Sequence, residues 1–332
     1  MLRGLRQKAH VSAAETILSP RIFKVVPPST FVTTPRRLST RIAMSSESST
    51  LQELVQVMDR IAPLSLAETT WDNVGVLLES PFVRKTSQGR VSNRVHLCID
   101  LTNAVCREAL DDEQVGAVLC YHPIIFRGLK SLRMSDPQQA TLLRLAAAGI
   151  SVYSPHTSLD AALGGINDML ALACSADKEQ GIQRGSAGIV PCTLSKDAPA
   201  SHQGAGMGRR ITLIQPVSEQ ELTQRIKSSL GLKYLHVARP AEAREIETIA
   251  VCAGSGYSVL AKDTSDCWFT GEMSHHELLA ATQAGRTVIL TNHSNSERPY
   301  LRKELARRIE EESRGALTTS VSDADRDPLV TV

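Results

Sequence analysis

From residue 51 onward the apolar positions follow two rhythms. Leu51, Leu54, Val55, Met58 and Ile61 fall three and four apart, the spacing of one helix face, and Pro63 stops the run. Stretches 74–78 and 95–99 are short and apolar, which predicts strands, and 103–110 returns to helical spacing. Residues 115–120 form a continuous apolar run, the signature of a strand buried on both faces. A helix over 138–148, a strand over 150–153 and a helix over 166–173 follow. Residues 175–208 then break the pattern, because Gly, Ser, Ala and Lys accumulate without an apolar period; a flexible linker or surface loop is expected. Alternation resumes with strand 210–214, helix 219–230, strands near 234–237 and 246–253, strand 267–270, helix 274–283, strand 287–290 and helix 297–311.

Alternating strands and helices predict an α/β protein with largely parallel or mixed sheets covered by helices. The expected organisation is a leader over 1–44, a first α/β lobe over 48–174, the linker over 175–208 and a second α/β lobe over 209–332. Each lobe places a His-bearing turn after an apolar strand, and no repeat of fixed period is evident.

Composition changes this picture only at the start of the chain. Residues 1–44 hold eight Lys and Arg against the single acid Glu15, with many Ser and Thr, the composition of an organelle transit peptide. Mitochondrial localisation, with a cytoplasmic pool, is the expectation; the alternative is an uncleaved basic extension. Beyond the leader 29 basic residues face 34 acidic ones, so a broad nucleic-acid surface is not expected. No run reaches the ~18 apolar residues of a membrane span. The seven cysteines form no CxxC pair and read as reduced structural thiols.

Candidate chemistry gathers in four turns that follow strands. His122 lies in Tyr121-His122-Pro123, where Pro123 bars helix and holds an imidazole at a strand's carboxyl end. His156 and Asp160 follow the strand at 150–153, and His293 and Glu297 follow the strand at 287–290. His275 and His276 sit behind Ser274, whose partner Glu277 completes a capping-box pattern; adjacent helical residues point about 100° apart, so at most one of these imidazoles faces a site. Each residue also has an ordinary reading: a hydrogen-bonded histidine, a turn or cap for Asp160, a helix-dipole partner for Glu297. Together they offer mixed nitrogen and oxygen donors, which suit a divalent transition ion such as Zn, Mn or Fe better than Mg or Ca. Gly254-Ser255-Gly256 could offer backbone N–H groups to an anion, although a plain turn is the better explanation of it.

The ordered set Trp71-Asp72-Asn73-Val74-Gly75, Tyr121-His122-Pro123, His156 to Asp160 with Gly164-Gly165-Ile166-Asn167-Asp168, Thr270 to His276, and His293 with Ser296-Glu297-Arg298-Pro299 resembles the NIF-three-like family, also labelled GTP cyclohydrolase I type 2-like. The resemblance covers residues 48–332 and is strongest to the family's eukaryotic branch, including Ser322 to Leu329. It implies two α/β lobes, a centre of one or two metals between them completed by the C-terminal segment, and a homo-oligomer, either a dimer or a hexameric ring. It assigns His122, Asp160, His293 and Glu297 as ligands, with Glu297 bridging. Bacterial members carry two histidines before the proline, whereas Tyr121 stands first here, so the second metal is weakly bound, held by Tyr121, or absent.

Two functions follow from the resemblance. One is a metal-dependent hydrolase acting on a nucleotide or related small molecule through activated water, with His156 or His275 as general acid/base. The other is a metal-stabilised oligomer that regulates through protein partners, transcriptional regulators among them.

Overall fold

Ser49 closes the first helix, α1 (Thr50–Ile61), with a reciprocal box: its hydroxyl accepts from the Gln52 N–H while the Gln52 side chain accepts from the Ser49 N–H. The helix buries Leu51, Leu54, Val57, Met58 and Ile61 and ends before Pro63. The computed structural model describes residues 49–175, 186–242 and 244–330; the basic leader lies outside the described residues.

After α1 come β1 (Gly75–Leu78), β2 (Arg94–Cys98), α2 (Asn103–Asp111), β3 (Val115–Cys120), α3 (Pro137–Ala147), β4 (Ser151–Ser154), α4 (Thr157–Ala161) and α5 (Ile166–Cys174). Strands β2, β3 and β4 run parallel, and β1 pairs antiparallel with β4. Every residue of β3 and of β4 is buried, which is why their sequences are not alternating.

The chain continues through β5 (Ser186–Val190), β6 (Thr193–Leu194), β7 (Gly206–Met207), β8 (Arg209–Val217), α6 (Glu219–Leu230), β9 (His236–Ala238), β10 (Ile246–Ser255), α7 (Tyr257–Leu260), β11 (Cys267–Glu272), α8 (His275–Gln283) and β12 (Thr287–Leu290). They form a second sheet of order β5-β8-β10-β11-β12-β9, parallel through β10, β11 and β12. The expectation of a linker over 175–208 is therefore corrected where residues are described: β5 is the sheet's edge, paired antiparallel with β8, and β6 pairs with β7. A strand whose partner lies about twenty residues away leaves no local periodicity to read.

Past β12 the chain makes α9 (Arg298–Tyr300), a π turn (Leu301–Leu305), α10 (Ala306–Glu312) and β13 (Thr318–Val321). Strand β13 returns to the first sheet and pairs parallel with β2, giving the order β1-β4-β3-β2-β13. The result is a mixed α/β fold with helix-flanked sheets. Residues 209–332 thus contribute to both sheets. One apolar core joins Leu97 and Leu119 of the first sheet to Val251 and Phe269 of the second, through Leu170, Tyr300 and Leu305. No helix among the described residues is long and apolar enough to cross a membrane.

Two buried polar residues fasten the halves. Asn167, fully buried, donates to the Asp160 carbonyl at 3.0 Å and accepts from the Ala253 N–H at 2.8 Å. Arg209, 2% exposed, pairs with Asp168 and donates to the carbonyls of Ala161, Ala162, Gly206 and Gly208. Removing the guanidinium strands a buried carboxylate. Arg209→Met is expected to lower unfolding free energy by roughly 3–5 kcal/mol, measured by denaturant titration; a loss below 1 kcal/mol would show that the pair is not structural.

Candidate metal centre

The site forms where the carboxyl ends of the parallel strands in both sheets meet, the ligand-binding edge of open α/β sheets. Asp100 follows β2, His122 follows β3, and His156 and Asp160 follow β4; Gly254 and Glu272 close β10 and β11, and His293 and Glu297 follow β12. The His122 turn is pinned by backbone bonds, Tyr121 N–H to Cys98 carbonyl at 2.8 Å and His122 N–H to Ile99 carbonyl at 3.0 Å.

His122, His293 and Glu297 converge, with donor atoms all within 4.8 Å of one another. Glu297 Oε2 lies 3.4 Å from His122 Nε2, and Oε1 lies 3.5 Å from His293 Nε2. Donors about 2.1 Å from a shared tetrahedral ion stand about 3.4 Å apart. The chemistry also fits: His122 Nε2 and Glu297 Oε2 are buried and have no hydrogen-bond partner, although buried polar atoms rarely go without one. Space is reserved as well. Gly254 has φ +59°, and a Cβ there would stand 2.8 Å from Glu297 Oε1 and 3.0 Å from His293 Nε2.

Each imidazole is aimed by a carboxylate on its other nitrogen. Asp100 holds His122 Nδ1 at 2.9 Å, Glu272 holds His293 Nδ1 at 2.8 Å, and Asp72 holds His156 Nδ1 at 2.7 Å. Such pairs fix tautomer and ring orientation at metal-ligating histidines. None of the three acids stands out in the sequence as chemistry; their one visible signal is position, since Asp100 and Glu272 sit at strand ends and Asp72 and Glu272 fall within the segments 71–75 and 270–276. Burial opposes a charge on Asp72 and Asp100, yet the bonds from His156 and Thr157 to the first and from His122 to the second hold both carboxyls below their ordinary value.

Asp160 stands outside this cluster. It is 7% exposed, and its Oδ1 accepts from the Tyr121 hydroxyl at 2.6 Å. Burial, with the Glu297 charge, pushes the Asp160 carboxyl up to about 6 against the pull of His156 and the Tyr121 bond. Burial, with the charges of Asp160 and Glu297, pushes the Tyr121 phenol well above its usual value. The Tyr121 phenol is thus a hydrogen-bond donor to Asp160. His156 shares the cavity wall, its ring centroid 5.5 Å from that of His122 and 5.3 Å from that of Tyr121. Its φ of +30° is a conformation non-glycine residues seldom adopt, which locates backbone strain at the site.

Other expectations are redirected. His275 is exposed at the start of α8, 5.4 Å from the His276 ring, and does not line the cavity, so the structure does not bring it to the centre. Ser274 N–H donates to the Glu277 carboxylate at 2.7 Å, so these two polar residues serve the helix start. The Ser296 hydroxyl accepts from the Gly254 N–H and donates to the His293 carbonyl, tying the end of β10 to the turn that carries His293. With Gly254 N–H so engaged and Gly256 N–H donating to Thr270, the glycine turn offers no anion nest from these groups.

A cavity of about 540 Å³ opens beside the cluster, lined by Trp71, Tyr121, Phe126, His156, Asp160, Cys252, His293 and Glu297 among others. The fold and this site define a mixed α/β protein with a candidate centre of two half-buried histidines and one buried carboxylate. Residues 49–328 match the Duf34/NIF3 (NGG1p interacting factor 3) family, to which the chain belongs. It is 42% identical to a protein NIF3 homolog of Schizosaccharomyces pombe, covering 86% of this chain and 100% of that one. It is 34% identical to NGG1-interacting factor 3 of Saccharomyces cerevisiae, covering 84% and 96%. Among solved structures it is similar in fold to a hypothetical protein of Staphylococcus aureus, at TM-score 0.67 and 22% identity over 86% of this chain and 100% of that chain.

Two outcomes test the centre. Glu297→Gln is expected to reduce bound transition metal per chain to near zero by elemental analysis, and unchanged content would sink the site. For His122, burial lowers the pKa, but Asp100 and Glu297 outweigh it and push it up to about 10. That lies above the roughly 6.5 of an unfolded histidine, so in metal-free protein the protonated ring adds stability below about pH 6.5, lost as pH rises through about 10. Zinc binding at neutral pH should therefore release about one proton at His122, read by calorimetry in buffers of different ionisation enthalpy; zero release would refute protonation there.

Proposed function

We propose that this chain is a metal-dependent hydrolase-like enzyme acting on a nucleotide or related small molecule, with one divalent transition ion held by His122, His293 and Glu297. The observation that carries the reading is the pair of unpartnered buried atoms, His122 Nε2 and Glu297 Oε2, which face each other beside a substrate-sized cavity. Three protein donors leave a coordination position free, the arrangement of catalytic rather than structural zinc sites. When bound, such an ion supplies Lewis acidity that lowers the pKa of water toward ~7 and polarises a carbonyl-like centre.

The chain's own groups supply the rest. With Nδ1–H donating to Asp72, His156 presents Nε2 as a proton acceptor, and the same imidazolium can return the proton to a leaving group. Tyr121 keeps Asp160 hydrogen-bonded, and Asp160, at about 6, is poised near neutrality as a second proton site. Asp160 and a second ion remain part of the proposal, with Tyr121 setting the first ion as the better held. The basic leader adds mitochondrial delivery beside a cytoplasmic pool, and a homodimer or hexameric ring is the expected assembly.

The second reading is a metal-stabilised regulator working through protein partners. It draws on the name of the yeast relative, an interacting factor for NGG1. Purified wild type, His293→Ala and Asp72→Asn, assayed with GTP and a nucleotide panel, separate the two. Hydrolysis by wild type, its loss in His293→Ala and a fall of roughly 10–100-fold in Asp72→Asn would support the enzyme. If all three are inert while partner binding changes with His293→Ala, the enzyme reading fails.

A further inference from the structure

We propose that the cavity beside the centre takes an uncharged planar heteroaromatic ring, a nucleobase or nucleoside without phosphates, stacked against Trp71 and Phe126. The inference rests on the hydrolase reading for what happens to the ring, whereas binding itself is read separately.

Trp71 and Phe126 both line this cavity, their ring centroids 6.2 Å apart and their planes inclined by 53°. They remain 53% and 47% exposed, so a wide aromatic surface at the cavity wall stays open to solvent. Bases of every kind stack on such surfaces because each has a π face. The indole is also mechanically tied to the centre. Its neighbour Asp72, whose side chain is fully buried, holds His156 and Thr157, and the Trp71 and Asp72 N–H groups both donate to the Glu68 carbonyl. The His156 ring stands edge-on to Trp71 at 6.0 Å. A ring on Trp71 therefore lies within reach of His156, in the cavity that His293 and Glu297 also line.

Charge selects what the ring carries. Glu68, Asp160 and Glu297 line the cavity, and among the described residues no Lys or Arg does. Phosphate recognition calls for Arg, Lys or free backbone N–H groups. The N–H groups of Gly254 and Gly256 donate to Ser296 and Thr270 instead. A triphosphate would meet these carboxylates with no Lys or Arg on the wall to offset its charge. An uncharged ring meets none of this penalty, and the exposed Ser255 and Ser258 on the wall offer polar partners for its edge.

Calorimetric titration of the full chain, metal-free and zinc-loaded, with adenosine, guanosine, GMP and GTP tests this. Both nucleosides should bind wild type, and Trp71→Ala and Phe126→Ala should each weaken them about tenfold, both positions being exposed enough to change without unfolding the chain. In metal-free protein GTP should bind at least tenfold more weakly than guanosine. Nucleoside binding retained by Glu297→Gln, which removes the ion, supports the ring site even where hydrolysis is lost. The proposal is overturned by metal-free protein that binds GTP as tightly as guanosine, by nucleosides that do not bind, or by affinities that neither aromatic substitution changes.

Discussion

A carboxylate at 1% exposure, with one oxygen that receives no hydrogen bond, is the constraint around which this structure is arranged. Glu297 cannot be left in that state cheaply, because an uncompensated buried charge costs several kcal/mol. Two imidazoles reach it from different sheets, one at the end of β3 and one at the end of β12, and a proton or a cation must sit among them. The shared core of the two sheets follows from the same need. Sheets that moved independently could not hold donors from both within a few ångströms of one acid.

Around that acid the structure is built in layers, each fixing the one inside it. Asp100 and Glu272 orient the two imidazoles, and Asp100 is itself placed by the C-terminal part of the fold. Asp325 accepts the Ile99 and Asp100 N–H groups, and Arg298 bridges Asp325 at 3.0 Å and approaches Asp100 at 3.9 Å. Arg298 also donates to Ser294, whose hydroxyl donates to Asp327. The second side of the cavity repeats the device with Asp72 behind His156. Tyr121 breaks the pattern, since its phenol engages Asp160 instead of leaving that oxygen open.

The parts legible in the sequence are those whose cause is local. The run Val115–Cys120 carries the pattern of a strand buried on both faces, and the His-Pro step after it bars a helix, so His122 falls at a strand end. The same logic places His293 and Glu297 after β12. Edge strand β5 and strand β13 are not legible, because their partners are remote in the chain and their side chains are mixed. Helix α4 is equally hidden, being five residues long and opened by His156 at a positive φ that no propensity foretells. The supporting acids look like ordinary surface or turn carboxylates until the fold puts an imidazole against each. His275 shows the converse: it reads as chemistry and turns out to belong to a helix start facing solvent.

Strand β13 bears on how such a site comes into being. The chain supplies His122, His293 and Glu297 well before it supplies Thr318–Val321 and Asp325, the residues that complete the first sheet and hold Asp100 behind His122. During synthesis, therefore, an interval exists in which all three donors have emerged but the group that aims one of them is not yet in place. A nascent chain interrupted between Glu297 and β13 would possess the three donors without the geometry. The aim of His122 is in this sense a property of the finished sheet, acquired only when the last strand docks.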